Sequence, residues 1–534
     1  MAAHLYNEFI HPFAGMDVGS LIRDRAAVWG DKPFLVWTPF EDSNADSWSW
    51  KRFEYDVARL AAGLKARGIA EGDRVLVHFD NCPETFLARF ALAWIGAVAV
   101  LSNSVLAGPE IAHTVEISGA RAAITQPKLA ARVRENCPQL EWIAVTETDA
   151  GDTPEAGTAP SRSESFAALY AAEPAQPLPP DPNRPALILF TTGTTSRPKA
   201  VLWTHGNVLW GGQMSAMHQA VRSDDVYQVF LPVYHVVGFS WAFLSAMWAG
   251  ATVVLQPRFS ASRFWPVALQ NKSTLSAQVH FTADVLSRQE VPQHHFRQFL
   301  SGIFLPPVAQ KFGVREVSGW GMTEMVSQPI TGDPWAAQTA RAIGRPAPGY
   351  GIIVEDDNRK PVQPGETGHL KVLGRRGLSI FREYFGNQKA TSGSFDERGL
   401  FDPGDRVILR ENGWIEFADR TKDVMKVGGE GVSGSEVEHA VKAAGGIKDA
   451  AVVGRADPVW GEVPVAFVEL IDPNADREEI KARVFEHCRK SLAKFKQPHD
   501  IVILDELPRV GFGKLAKVKI REMAEAMTKE REKA

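Results

Sequence analysis

The sequence predicts an α/β chain of at least two domains, and three observations carry that expectation. At 534 residues the chain exceeds the size at which one hydrophobic core keeps growing. Strand-like and helix-like apolar patterns alternate as far as about residue 330, which predicts doubly wound α/β layers. Between 351 and 420 the pattern changes to short β-like runs, and beyond Lys422 to a compact α+β pattern.

The elements follow in chain order. Apolar residues at helical spacing over 51–68, closed by Gly68, predict a helix with a glycine stop. Arg74–Phe79 reads as a strand and Pro83–Trp94 as a helix. Phe90–Leu101 is too short to span a bilayer, so it predicts a buried helix running into a strand. Residues 148–184 mix Gly, Pro, Ser, Ala and acids, and predict a mobile surface excursion. Gly351–Val354, His369–Val372 and Trp414–Phe417, separated by Gly/Pro/Asp turns, predict a β-rich subdomain over about 345–421. After it come a helix at 435–443, strands near 450 and 465, a helix at 477–491 and a charged tail.

Composition narrows the function classes. A hydrophobic content of 45% with 23% charged residues is ordinary for a globular chain, and a formal net charge of −4 gives no reason to expect nucleic acid or an anionic membrane as partner. Cys82, Cys137 and Cys488 form neither a metal-type CxxC nor an even disulfide framework, so they predict reduced thiols and a cytoplasmic protein. The Met1 region lacks a basic segment followed by an apolar run, so no export signal is expected, and no transmembrane segment. Oligomeric state is left open, with a homodimer as one option.

The apolar run Ala186–Phe190 leads into Thr191-Thr192-Gly193-Thr194-Thr195-Ser196-Arg197-Pro198-Lys199-Ala200. Hydroxyls and backbone N–H groups in such a loop can wrap phosphate oxygens, and Lys199 adds a cation. No Gly-Lys-Ser/Thr closes the loop, so it is not a P-loop; an ordinary surface turn is the plain alternative. Further along stand Gly319-Trp320-Gly321-Met322-Thr323-Glu324, Asp402-Pro403-Gly404-Asp405, Asp419-Arg420-Thr421-Lys422-Asp423 with Gly428-Gly429-Glu430-Gly431, and Arg509-Val510-Gly511-Phe512-Gly513-Lys514. In this order and spacing they resemble the motifs of the adenylate-forming acyl-CoA synthetases, over nearly the whole chain.

That resemblance implies an ATP-dependent carboxylic acid:CoA ligase using Mg2+ and coenzyme A, with acyl-adenylate formation followed by thioester formation. It implies a large domain over 1–421 and a small C-terminal lid over 422–534 that turns about Lys422. By the same resemblance Thr191, Thr192, Gly193, Thr194, Thr195 and Lys199 hold the β- and γ-phosphates. Thr323 bonds the α-phosphate beside Gly321, Glu324 holds Mg2+, Asp405 accepts the ribose hydroxyls with Arg420 as a further donor, and the face of Trp320 suits adenine. Lys514 bridges the carboxylate and the α-phosphate; Lys426, Gly428 and Gly429 line the pantetheine tunnel. Pro232–Trp241 matches the segment P-x-x-H-x-x-G, which puts His235 at the carboxylate and His235, Val236, Phe239, Trp241, His280, Gly319 and Trp320 around the acyl group. Each has a plainer reading: Glu324 as a surface residue at a helix start, Asp405 in a turn, Lys514 as solvated surface, His235 as a structural histidine, the aromatics as core.

Within the family the wording resembles the carnitine/crotonobetaine-CoA ligases, at Gly193–Lys199, Asp80–Glu84, Ser260–Trp265 and Phe381–Phe385. A tryptophan-rich pocket suits a quaternary ammonium through cation–π contacts, and equally an aryl, branched or medium-chain acid. Segment 233–241 departs from those ligases, so their substrate does not carry over. Ser196 and Ala200 replace two family glycines, Phe299–Pro307 is shorter than the adenine loop, and Gly434 replaces a proline. Two alternatives stand beside the ligase. One is an adenylating enzyme with a carrier protein or other acceptor; Val233–Trp241 has no Asp to pair an α-amino group. The other is a non-catalytic nucleotide-binding relative.

Overall fold

The computed structural model describes residues 10–155, 163–191, 198–420, 424–510, 514–515 and 517–531. The chain divides into two compact units: the described residues of Met1–Ser104, Thr114–Phe190 and Ala200–Asp419, and those of Val105–His113, Thr191–Lys199 and Arg420–Ala534.

Two sheets organise the first unit. One has eight strands, in the order Glu383–Tyr384, Lys199–Thr204, Pro185–Thr191, Val98–Ser102, Arg74–His78, Ala122–Thr125, Trp142–Val145, Glu164–Ser165. Its centre is parallel, with Arg74–His78 between Val98–Ser102 and Ala122–Thr125. Parallel neighbours need crossovers, and the helices Pro83–Trp94 and Gly108–Ser118 supply two of them. Helix Pro83–Trp94 starts on a proline, where no N–H is needed, and is buried from Thr85 to Trp94, which explains its lack of a polar face. Helix Trp50–Ala66 is capped by the Ser49 hydroxyl, buries Phe53, Val57, Leu60 and Leu64, and gives way at Arg67 and Gly68, the latter at φ +81°.

The excursion expected over 148–184 is only partly one. Phe166 and Leu169 are 3% and 0% exposed. A Cβ on Gly63 would fall 1.5 Å from the Leu169 carbonyl oxygen, so this stretch packs directly on the helix. Phe166 and Leu169 stand in a short run among Gly, Pro, Ser, Ala and acids, too brief to set a period that would mark it.

The other sheet has thirteen strands. Pro33–Trp37, Thr252–Leu255, Val226–Val229, Leu275–Ala277, Gln298–Ser301 and Arg315–Trp320 run parallel. From Arg315–Trp320 the sheet continues through Ile330–Thr331, Ala342–Pro346, Ile415–Arg420, Asp405–Leu409, Thr367–Leu373 and Gly351–Glu355. The pairings at Ile330–Thr331, at Ala342–Pro346 with Ile415–Arg420, and among the last three strands are antiparallel. The β-rich stretch read from the sequence is therefore an antiparallel arm of this sheet. The two-sheet α/β core with its antiparallel arm, together with a small α+β unit, is the expected fold class.

In the second unit Gly461–Leu470 lies between Ile447–Asp457 and Asp500–Leu504, with Val424–Val427 and Glu430–Ser433 completing five strands. Helices Gly434–Ala443 and Arg477–Ser491 cover one face through Val437, Val441, Ile480, Val484 and Cys488. Asp476 caps the second of these, with Glu478 and Glu479 in its first turn and Arg489 and Lys490 in its last, all favourable to the helix dipole. The tail that reads as merely charged is helix Lys517–Arg531. Its Ile520 and Ala524, four residues apart, are buried with Val453, Val465 and Phe467. Among the described residues no helix is long and apolar enough to cross a membrane.

Candidate active site

One of the sequence motifs forms the turn that follows strand Arg315–Trp320. Thr323–Met325 form one turn of 3₁₀ helix, and Val326 sits at φ +53°, a strained value for a β-branched residue. Four carbonyls in a row are bonded from outside the turn. Thr323 O accepts from the Trp203 indole at 2.9 Å, Glu324 O from the Phe381 N–H at 2.8 Å, Met325 O from the Tyr350 hydroxyl at 2.6 Å, and Val326 O from the Ser240 hydroxyl. The strain is held by these partners, which fix where Glu324 points.

Glu324 is 2% exposed, which removes its reading as a surface residue. The Tyr384 hydroxyl donates to its Oε1 at 2.7 Å. Burial and the adjacent carboxylate keep the Tyr384 phenol well above its usual range, so it remains a donor. Tyr384 is delivered by its strand, paired through Tyr384 and Val201 with Lys199–Thr204.

Trp320 and Asp405 are buried, and the indole N–H donates to Asp405 Oδ2 at 3.0 Å. Their strands stand four places apart in the sheet order, about 19 Å if the sheet were flat. Two side chains and one hydrogen bond cannot cover that distance, so the antiparallel arm curls back toward Trp320. Gly321 has no room for a side chain: a Cβ would lie 2.7 Å from both Ser327 O and Trp241 Cζ2. At Gly319 a Cβ would meet Gln328 Cγ at 3.2 Å.

The segment from Pro232 to Leu244 approaches the same turn. Val237–Leu244 winds as a π-helix, a rare form frequently found at functional sites. The glycine of the Pro-x-x-His-x-x-Gly pattern has a local reason: a Cβ on Gly238 would sit 2.4 Å from Pro232 O. Trp241 reaches Gly321, while Ser240 bonds Val326. His235 is half-buried, its ring 4.8 Å from that of Tyr234, and Val236 is buried. Phe239 is fully buried, stacked on Trp203 at 6.3 Å and Phe243 at 6.4 Å. His280 is the first residue of helix His280–Ser287.

Thr191 ends strand Pro185–Thr191 and Lys199 opens strand Lys199–Thr204; Thr192, Gly193, Thr194 and Thr195 lie outside the described residues. Lys422 lies outside them too. Arg420 is the last residue of strand Ile415–Arg420. In the second unit Lys426 belongs to strand Val424–Val427, which turns through Gly428 and Gly429 at φ +59° and +90°. Trp460 packs on that turn: its carbonyl accepts from the Gly428 N–H at 2.7 Å, and its ring leaves no space for a side chain at Gly428. Lys514 pairs with Val510 in a two-strand ribbon. The structure thus brings Trp320, Gly321, Thr323, Glu324, Asp405 and Trp241 together. Among the described residues no cluster of three or more His, Cys, Asp or Glu could cage a metal.

Sequence reasoning missed Trp203, Ser240, Tyr350 and Tyr384 as the groups holding the Glu324 turn. Ser240 stood inside the Pro232–Trp241 motif without a task, and Tyr384 inside the wording Phe381–Phe385 that marked only a subfamily.

Fold and site together define an adenylate-forming enzyme. The family model for AMP-binding enzymes matches residues 22–385, and that for the AMP-binding enzyme C-terminal domain matches 436–514. The chain belongs to the AMP-binding enzyme family. Crotonobetaine/carnitine–CoA ligase of Salmonella paratyphi C (strain RKS4594) is 32% identical over 520 residues, 95% of this chain and 99% of that protein. A double mutant of o-succinylbenzoate CoA synthetase from Bacillus subtilis, solved with a product analogue, superposes with a TM-score of 0.79 at 26% identity, covering 94% of this chain and 98% of the other. An amide bond synthetase from Marinactinospora thermotolerans shares the fold, with a TM-score of 0.80 at 22% identity over 95% and 99% of the two chains.

Proposed function

We propose that this chain activates a small carboxylic acid at the turn Trp320–Glu324, with the roles below. The overall activity is ATP-dependent acid:CoA ligation. A carboxylate attacks the α-phosphorus of ATP, pyrophosphate leaves, and the thiol of coenzyme A then displaces AMP from the acyl-adenylate. Both steps build charge on phosphate or carbonyl oxygens, so placed donors and cations carry the catalysis.

One observation supports this reading above the others: a buried glutamate, oriented by a tyrosine, beside a threonine and a tryptophan-tethered aspartate. The Glu324 carboxylate is a hard oxygen donor fit for Mg2+, which takes one or two carboxylates plus substrate phosphates. Bound there, Mg2+ would offset the phosphate charge. Thr323 bonds the α-phosphate and Asp405 accepts the ribose hydroxyls, assisted by Arg420. Thr191–Thr195 and Lys199 hold the outer phosphates. Lys514 serves the first step; Lys426, Gly428 and Gly429 serve the second, with Lys422 as hinge. His235, Val236, Phe239, Trp241, His280, Gly319 and Trp320 border the acyl group. The enzyme works in the cytoplasm, in keeping with three buried thiols free of disulfide bonds; a homodimer is the assembly to test.

Pyrophosphate release over a panel of acids, with and without coenzyme A, tests the function. Acid-dependent release that yields thioester only when the thiol is added supports ligation. Release that leads to no thioester overturns the thiol as acceptor, and no release with any acid overturns the enzyme.

Trp320→Phe removes the donor to Asp405. A hydrogen bond to a charged group contributes about 1.5–3 kcal/mol, so the KM for ATP should rise about ten- to a hundredfold. The KM for the acid should move far less, because phenylalanine keeps an aromatic face toward the acyl group. Initial-rate kinetics with each substrate varied in turn will show whether the effect stays on the nucleotide side.

A further inference from the structure

The one arginine buried in helix Pro83–Trp94 takes no part in the roles above. Arg89 is 2% exposed. Its Nε donates to Thr85 O at 3.3 Å and its Nη2 to Val233 O at 3.2 Å, while Nη1 is buried with no partner. The guanidinium lies over two rings, 4.3 Å from the centre of Phe239 and 4.9 Å from that of Phe86. Among the described residues it has no carboxylate partner. Burial pulls its pKa down to about 9, which leaves it charged at neutral pH.

A buried cation without a counter-ion is costly, and contacts with two aromatic faces offset only part of that. Such groups persist where a ligand brings the missing charge. Arg89 contacts the segment that borders the acyl group: Val233 is two residues before His235, and Phe239 stacks on Trp203, whose indole bonds Thr323 O. A guanidinium offers a planar fork matched to a second carboxylate.

We propose that Arg89, through its unpartnered Nη1, reads a second carboxylate at the far end of the acid substrate, so that this chain prefers dicarboxylic acids. The inference rests on the ligase reading and adds a substrate class to it. A cation at this position also disfavours the quaternary ammonium acids that the wording of the sequence raised.

The test uses the full-length enzyme and paired acids: butanoate through octanoate against succinate through suberate, read by acid-dependent ATP–pyrophosphate exchange. For at least one chain length the diacid should exceed its monoacid by about tenfold in kcat/KM, the effect of about 1.4 kcal/mol. In Arg89→Met, which keeps the volume and removes the charge, that ratio should fall to one or below. Monoacid exchange should persist, and thermal melting checks the fold. If the variant does not fold, the wild-type ratio alone decides. Equal or better use of monoacids by the wild type overturns the inference, as does an unchanged ratio in the variant; both leave the ligase reading standing. Exchange with no acid at all overturns that reading, and this inference with it.

Discussion

Glu324→Gln is expected to cost about two to three orders of magnitude in adenylation rate, the scale on which removing one preorganised electrostatic group at a transition state is felt. The change is nearly isosteric, and the Tyr384 hydroxyl can still donate to the amide oxygen as it does to Oε1 at 2.7 Å. The four carbonyl bonds that hold the turn are untouched, so melting should not move appreciably. What is lost is a negative charge fixed where we propose that the metal binds. Pyrophosphate exchange measured across a Mg2+ titration separates this from a general lesion: half-activation should shift to far higher Mg2+. Tyr384→Phe should produce a smaller shift in the same direction, since it loosens the carboxylate without removing it. A Mg2+ curve identical to that of the wild type would remove Glu324 from the metal.

Lys514→Ala should split the reaction in two. The lysine follows Gly511-Phe512-Gly513 and begins the short strand paired with Arg509–Val510. A cation that bridges carboxylate and α-phosphate is needed only while the anhydride forms. Exchange between ATP and pyrophosphate should fall about a hundred- to a thousandfold, whereas thioester formation from supplied acyl-adenylate should continue near the wild-type rate. Glu324→Gln and Lys514→Ala thus fail in the same half-reaction, but only the first is sensitive to added Mg2+. Full exchange in Lys514→Ala would refute its role.

The sequence made the fold legible where a period or a punctuating residue was strong. Helix Pro83–Trp94 shows its proline start, and helix Trp50–Ala66 its glycine stop, so their limits could be read to within about two residues. The helix Lys517–Arg531 was hidden because two buried residues among many charges barely register as a face. Phe166 and Leu169 were hidden for the same reason. Candidate site residues stood out when they lay inside short motifs, as Thr323, Glu324 and Asp405 do. Their supports did not. Tyr384 meets Glu324 across 60 residues of chain and Trp320 meets Asp405 across 85, and no local pattern encodes such meetings. The indole of Trp320 suggested a flat face for adenine; its N–H turned out to be tied to the ribose-binding candidate. Arg89 was passed over because one charged residue in an apolar helix reads as a solvated edge until its burial is known.

The curl that carries Asp405 back to Trp320 has a consequence for biosynthesis. A nascent chain released only as far as residue 350 holds every parallel strand of the larger sheet, yet lacks the carboxylate that would grip a sugar. With Asp405 in its proposed role, nucleotide gains its full grip, and so its strength as a folding ligand, only once the arm has been translated and has closed. Ribosome-bound intermediates of this chain should therefore be indifferent to ATP, and the finished protein alone should be rescued by it.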